Sequence, residues 1–221
     1  MADKYPNISP YAYCVWNPVK LVDPDGRMID DYFSKNGKYL GSDNAFTNNV
    51  RIISEHVWNG LYKDPMGRID KNVGHVLSMD FATASRSVMT PESQLKVYNH
   101  YNPTNNKLEI LNDGRDVCGM RTTQSNMGDP VIKVRLEGNC FGLEICNQAD
   151  EIINLFAHEK AHIDQCKSIG FQRYEKLSRG ERETFAVRSQ MSEPSWWKTR
   201  NVFRNVFIEY GGKYGLYIYA Q

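Results

Sequence analysis

The chain has no apolar run near the roughly 20 residues that a helix needs to cross a bilayer. A helical membrane span is therefore not expected. It has no strong charge of one sign either. Its 27 Lys and Arg stand against 26 Asp and Glu, mixed along the sequence, and no long basic stripe invites nucleic acid. The five cysteines are an odd set without a C-x-x-C pair. This speaks against a disulfide scaffold or a zinc site built of cysteine alone, and for mostly free thiols. Met1-Ala2-Asp3-Lys4 carries no signal-peptide pattern. The chain as written is expected in the cytoplasm, with export or surface display only as part of a longer precursor. Histidine is scarce, at five in 221 residues, and none follows His162.

Two of those five stand in His158-Glu159-Lys160-Ala161-His162, which has the spacing H-E-x-x-H. On a helix, positions i and i+4 share a face, so both imidazoles can reach one zinc ion. Glu159 between them can take a proton from a water activated by that ion. Helical context surrounds the motif. Asn147-Gln148-Ala149-Asp150-Glu151 reads as a helix start, with Asn147 as N-cap and acids in the first turn. Apolar residues from Ile152 to Ile169 recur at largely helical spacing, and Gly170 reads as the stop. Without a metal, the same pattern would be two core histidines beside a surface glutamate.

A catalytic zinc usually takes three protein ligands and keeps one open position. The third histidine of H-E-x-x-H-x-x-G-x-x-H is absent, because Gln165 and Ser168 occupy those places. A carboxylate is the natural substitute. The segment after Ser178 looks like the next helix, and its Glu183-x-x-Ala186 step resembles the ligand helix of gluzincin metallopeptidases. Glu183 is the expected third ligand, Glu181 the runner-up and Glu175 a distant third. Cys166 lies eight residues past His158, about 12 Å along a helix axis, too far to join the same ion. The resemblance implies zinc-dependent peptide hydrolysis, with Glu159 as base, His158, His162 and Glu183 as ligands, and a peptide or protein as substrate. Tyr174, Tyr210 and Arg179 remain open as donors to the oxyanion. The apolar stretch Phe141-Gly142-Leu143-Glu144-Ile145-Cys146 suits an edge strand beside the motif helix.

The amino-terminal stretch carries a second resemblance. Tyr5-Pro6-Asn7-Ile8-Ser9-Pro10-Tyr11-Ala12-Tyr13 leads into Asn17-Pro18-Val19 and Asp23-Pro24-Asp25-Gly26. This is similar to the end of the RHS-repeat-associated core. Two departures stand out: Val15-Trp16-Asn17 replaces the more usual paired asparagines, and Arg27 stands where leucine often follows the glycine. They put self-cleavage at this point in doubt. The family implies a division into residues 1–30, an RHS-core-like tail, and residues 31–221, a zincin-like metallopeptidase domain. It also implies the payload of a polymorphic toxin, with an immunity protein as partner. The alternative is an inactive zincin-shaped binding or surface module of an RHS-family protein.

The remaining expectations are local. Lys35-Asn36-Gly37 marks a hairpin between Asp31–Ser34 and Lys38–Leu40. Val50 to Val57 reads as a strand or a helix start. Pro91 to Tyr98 reads as a short helix capped by Thr90. Lys107–Leu111 and Pro130–Leu136 read as strands, with a turn at Asn112-Asp113-Gly114. Asp64-Pro65-Met66-Gly67 reads as a second turn. Ser195 to Tyr210 reads as one final amphipathic helix. Strands first and helices last predicts an α+β fold.

Overall fold

The computed structural model describes residues 29–111, 119–124, 128–136 and 147–216. The RHS-like stretch, the Asn112–Gly114 turn, the proposed strand at 141–146 and four of the cysteines lie outside these residues. The fold is α+β, with two small mixed sheets and several helices. No helix among the described residues is long and apolar enough to cross a membrane.

The first sheet grows from the hairpin that Asn36-Gly37 announces. Strands β1 (Asp31–Phe33) and β2 (Tyr39–Ser42) pair antiparallel. Ser34 Oγ accepts the amides of Asn36 and Lys38 across the turn. Strand β3 (Val50–Ile52) pairs parallel to β1, and the two-residue β4 (Met79–Asp80) closes the order β2-β1-β3-β4. The stretch Val50 to Val57 is both things it was read as, since helix α1 (Glu55–Gly60) follows β3 after two residues. The Asp64 turn also forms, with Asp64 Oδ1 accepting from the amides of Met66 and Arg68.

The ordering of strands before helices does not hold. Helices α2 (Lys71–Leu77), α3 (Phe81–Ser87) and α4 (Pro91–His100) precede the second sheet. Only α4 had a readable signal, and Thr90 does cap it by accepting from the Ser93 amide. Helices α2 and α3 are seven residues each, too short for periodicity to register. The second sheet has β5 (Leu108–Ile110) and β7 (Val131–Arg135), as expected, plus β6 (Gly119–Thr123). Its order is β5-β7-β6, with β6 antiparallel to β7.

Helix α5 (Ala149–Ile169) carries the motif and runs through the middle of the core. Its residues are buried on nearly every side from Glu151 to Ile163, as befits a helix covered by neighbours all round. Ile152, Phe156 and Ile163 join the main core cluster with Phe33, Phe81 and Trp196. Full burial of each such side chain stabilises the fold by about 1.5–3 kcal/mol.

The start of α5 corrects one expectation. The N-cap is Gln148, not Asn147. Asn147 instead bridges elements: its carbonyl accepts from Val50 N at 2.6 Å, and its side chain accepts from Ala82 N at 2.8 Å. Glu151 Oε2 accepts from the Gln148 amide at 3.3 Å, so an acid of the first turn still closes the helix start. Gly170 ends the helix at φ +82°, a conformation that costs glycine little and other residues more.

Three helical pieces follow. Helix α6 (Phe171–Lys176) lies between the Gly170 stop and the helix expected after Ser178, which is α7 (Arg179–Ser192). The expected single last helix is two elements: a 3-10 turn at Pro194–Lys198 and α8 (Asn201–Gly212). Arg204 caps the break. Its guanidinium donates to the carbonyls of Trp196, Trp197 and Thr199, which a continuous helix would have used itself. Trp196 is in the core, while Trp197 is exposed.

Candidate metal centre

The site forms where α7 lies against α5. Glu183, Ala186, Val187 and Gln190 are spaced i, i+3, i+4 and i+7, so they share one face of α7. Ala186 and Val187 are fully buried, and the small alanine allows close approach. Glu183 is thereby delivered to the histidines. Its Oε2 lies 3.3 Å from His158 Nε2 and 3.6 Å from His162 Nε2. The two rings are 5.0 Å apart between centroids and nearly perpendicular. One donor atom from each of the three residues fits within 4.8 Å of the other two.

Both imidazoles are held from behind. His158 Nδ1 is 3.1 Å from Gln190 Oε1, and His162 Nδ1 is 3.2 Å from the Tyr174 hydroxyl. An amide oxygen can only accept, so His158 donates from Nδ1 to Gln190, while its Nε2 faces the Glu183 carboxylate. A metal held through Nε2 would keep that Nδ1 bond, the outer partner that such ligands usually have. The α7 backbone at Gln190 is tied to α5, because Asn154 Nδ2 donates to the Gln190 main-chain carbonyl at 3.1 Å and to Ser195 Oγ at 3.0 Å. The donor set of two imidazoles and one carboxylate, with its Nε2 atoms turned to one oxygen, suits a zinc ion.

Electrostatics agree with that geometry. Burial raises the Glu183 carboxyl, but hydrogen bonds and charge from His158 and His162 outweigh it and hold the group well below the usual carboxylate range. His158 is pulled down by burial, yet Glu183, Glu159 and Gln190 carry it above its ordinary value. Arg179 Nε stands 3.7 Å from Glu183 Oε1. Its charge is steadied by a hydrogen bond with Tyr210 and by the Tyr214 ring, 5.6 Å from the guanidinium carbon.

Glu159 points to the second sheet. It is 4% exposed, and its Oε2 accepts a 2.7 Å hydrogen bond from Thr122 Oγ1 on β6. The same hydroxyl also reaches the Glu159 carbonyl at 3.3 Å. Two residues on, Gln124 Nε2 donates to the His162 carbonyl at 2.6 Å. Strand β6 thus lies along the motif turn; the stretch 141–146, expected as an edge strand there, is outside the described residues.

The runner-up ligand is elsewhere. Glu181 Oε2 accepts from Ser178 N at 2.8 Å and from Ser178 Oγ at 2.7 Å, closing the N-terminus of α7. The S-x-x-E spacing of Ser178 and Glu181 is a capping-box signal, legible in the sequence. Glu175 is exposed on α6. Cys166 is buried and free, and Asp164 pairs with Lys160 at the surface. Of the three open oxyanion candidates, Tyr174 backs His162, while Arg179 and Tyr210 lie together beside Glu183. Sequence reading did not find Thr122, Gln124 or Gln190. Gln190 had a signal, its i+7 phase from Glu183; the other two depended on where β6 docks.

Compared with known protein families, curated proteins and solved structures, the chain matches none.

Proposed function

We propose that this chain is a zinc-dependent metallopeptidase of zincin-like fold and gluzincin type, the payload of an RHS-type polymorphic toxin. The observation that carries the peptidase reading is the convergence of His158 Nε2 and His162 Nε2 on Glu183 Oε2, at 3.3 and 3.6 Å, with both Nδ1 atoms engaged behind. The RHS part rests on the order of the Pro-Tyr, Asn-Pro-Val and Asp-Pro-Asp-Gly elements within residues 5–27. His158, His162 and Glu183 would hold the ion. A zinc ion in that position supplies a Lewis acid for water and for a scissile carbonyl.

The protein's own groups supply the remainder. Glu159 takes a proton and returns it to the leaving amine. Thr122 keeps that carboxylate in one rotamer by binding Oε2. Arg179 and Tyr210 offer positive charge and a hydroxyl beside Glu183, where a developing oxyanion needs donors.

A second reading is an inactive zincin-shaped binding module. The observation favouring it is that Glu159 is almost fully buried and already accepts from Thr122. One experiment separates the two. Zinc content is measured by elemental analysis in the wild type and in Glu159→Gln, alongside hydrolysis of a denatured protein substrate. The peptidase reading expects one zinc at this site in both proteins and hydrolysis only in the wild type. Equal hydrolysis in both removes Glu159 as base. Zinc without hydrolysis in the wild type leaves the binding module.

A further inference from the structure

A second constellation sits in the first sheet, with no residue shared with the site above. Asp30 precedes β1, Asp43 follows β2, and His75 lies on α2. Asp30 and Asp43 are both fully buried. One donor atom from each of the three residues again lies within 4.8 Å of the others. His75 Nε2 is 2.6 Å from Asp30 Oδ2 and 3.9 Å from Asp43 Oδ2.

The carboxylates are aimed. Asp30 Oδ1 accepts from Thr47 Oγ1 at 2.6 Å and from Asn49 N at 2.8 Å. Asp43 Oδ1 accepts from Ala45 N at 2.8 Å and Asp30 N at 3.3 Å. With each Oδ1 occupied by neutral donors, the two Oδ2 atoms are presented to the imidazole. Asn49 Nδ2 at 3.3 Å and Tyr32 Oη at 2.9 Å steady them there. This is the outer support that metal-binding carboxylates characteristically have.

Two further observations bear on the occupant. First, α2 is built to approach. A Cβ at Gly74 would fall 2.2 Å from the Tyr32 hydroxyl, so only glycine lets this helix seat His75 over the acids. Second, the cluster is short of positive charge. Two buried carboxylates face one imidazole, and burial together with the neighbouring Asp30 pushes the Asp43 carboxyl above its ordinary range, as expected where a cation is wanting. The Arg51 guanidinium bonds Asp80 Oδ1 at 2.9 Å, Ser78 Oγ at 2.7 Å and the His75 carbonyl at 3.2 Å, which fixes the end of α2. The His75 side chain is 40% exposed, which gives a cation and its waters a way in.

We propose that Asp30, Asp43 and His75 form a second metal site, for a divalent first-row transition cation. One imidazole nitrogen and two carboxylate oxygens suit zinc, manganese or cobalt, with water completing the shell. Imidazole makes a calcium site a poor fit. The ion joins the two ends of the β1–β2 hairpin to α2, so its role is to fasten the first sheet. It is independent of the peptidase reading.

The test counts metal in the full chain. Zn2+ binding is measured by equilibrium dialysis and elemental analysis in the wild type, His75→Ala and Asp43→Asn. Each variant is expected to lose one equivalent, whether the wild type starts at two or at one. Stoichiometry unchanged in both variants overturns the site. In a His158→Ala/His162→Ala background, Co2+ should still bind at one equivalent with visible absorption, and adding His75→Ala should abolish it. Absence of bound Co2+ in that background also overturns the site. His75 is half-exposed, so its substitution leaves the core intact. Thermal unfolding of that double variant should shift upward with Zn2+ only while His75 is present.

Discussion

The Nδ1 atom of His158 lies 3.1 Å from the side-chain oxygen of Gln190, which sits seven residues beyond Glu183 on the same face of α7. One helix face therefore supplies both a proposed ligand and the acceptor that orients the ring of its neighbour. Gln190→Leu is expected to lower zinc affinity by about 10- to 100-fold, the usual cost of losing an outer partner. Gln190→Glu keeps an acceptor and should retain most of it. Competition with a chelator measures both. Equal affinities in wild type and Gln190→Leu would remove the amide from the site.

Glu183 and Glu181 are two residues apart and do different work. Glu183→Ala is expected to abolish stoichiometric zinc, since it removes the third donor from the set. Glu181→Ala should leave zinc content unchanged and loosen only the first turn of α7, where it accepts from Ser178. Elemental analysis and hydrogen exchange over residues 178–182 read the two effects. Loss of zinc in Glu181→Ala would reverse the assignment.

Thr122→Val removes one hydrogen bond from Glu159 while keeping shape. A neutral-to-charged bond of this kind contributes roughly 1.5–3 kcal/mol, so kcat should fall about 10- to 150-fold with zinc content intact. A change in KM alone would show that Thr122 does not position the base.

Arg200 and Glu151 make the clearest structural prediction. The guanidinium binds both oxygens of a fully buried carboxylate, at 2.7 and 2.9 Å. Burial raises the Glu151 carboxyl and Arg200 partly offsets that. Arg200→Met leaves the acid unpaired, and about 2–4 kcal/mol of stability is expected to be lost at pH 7. The sign with pH follows. A carboxyl whose folded value lies above its unfolded one contributes a penalty that is absent at low pH and grows as pH rises past about 4.5. The variant's deficit should therefore shrink toward pH 4. Urea denaturation at both pH values measures it, and a constant deficit would mean Glu151 is not the cause.

Short-range chemistry made much of the chain legible. The Asn36-Gly37 hairpin, the Thr90 cap, the Asp64 turn and the Gly170 stop each depend on a few neighbouring residues, so their physics is written locally. The elements that escaped notice have weak local signals. Helices α2 and α3 are two turns long and take their place from contacts with the first sheet, through Gly74 and Phe81. The break between Pro194–Lys198 and α8 escaped because the carbonyls it frees are satisfied by a side chain from the following turn, Arg204.

The candidate site divides the same way. Helical period alone places His158 and His162 one turn apart, and puts Glu183 and Gln190 on one face of α7, because 3.6 residues per turn holds wherever a helix forms. What no period specifies is how helices and strands dock. Packing of α7 on α5 through Ala186 decided that Glu183 meets both imidazoles, and the seating of β6 decided that Thr122 meets Glu159. Likewise Asp30, Asp43 and His75, up to 45 residues apart, became a cluster only when α2 settled on the hairpin. Contacts across such separations arise from the burial of whole faces, and that is a property of the folded chain rather than of any segment within it.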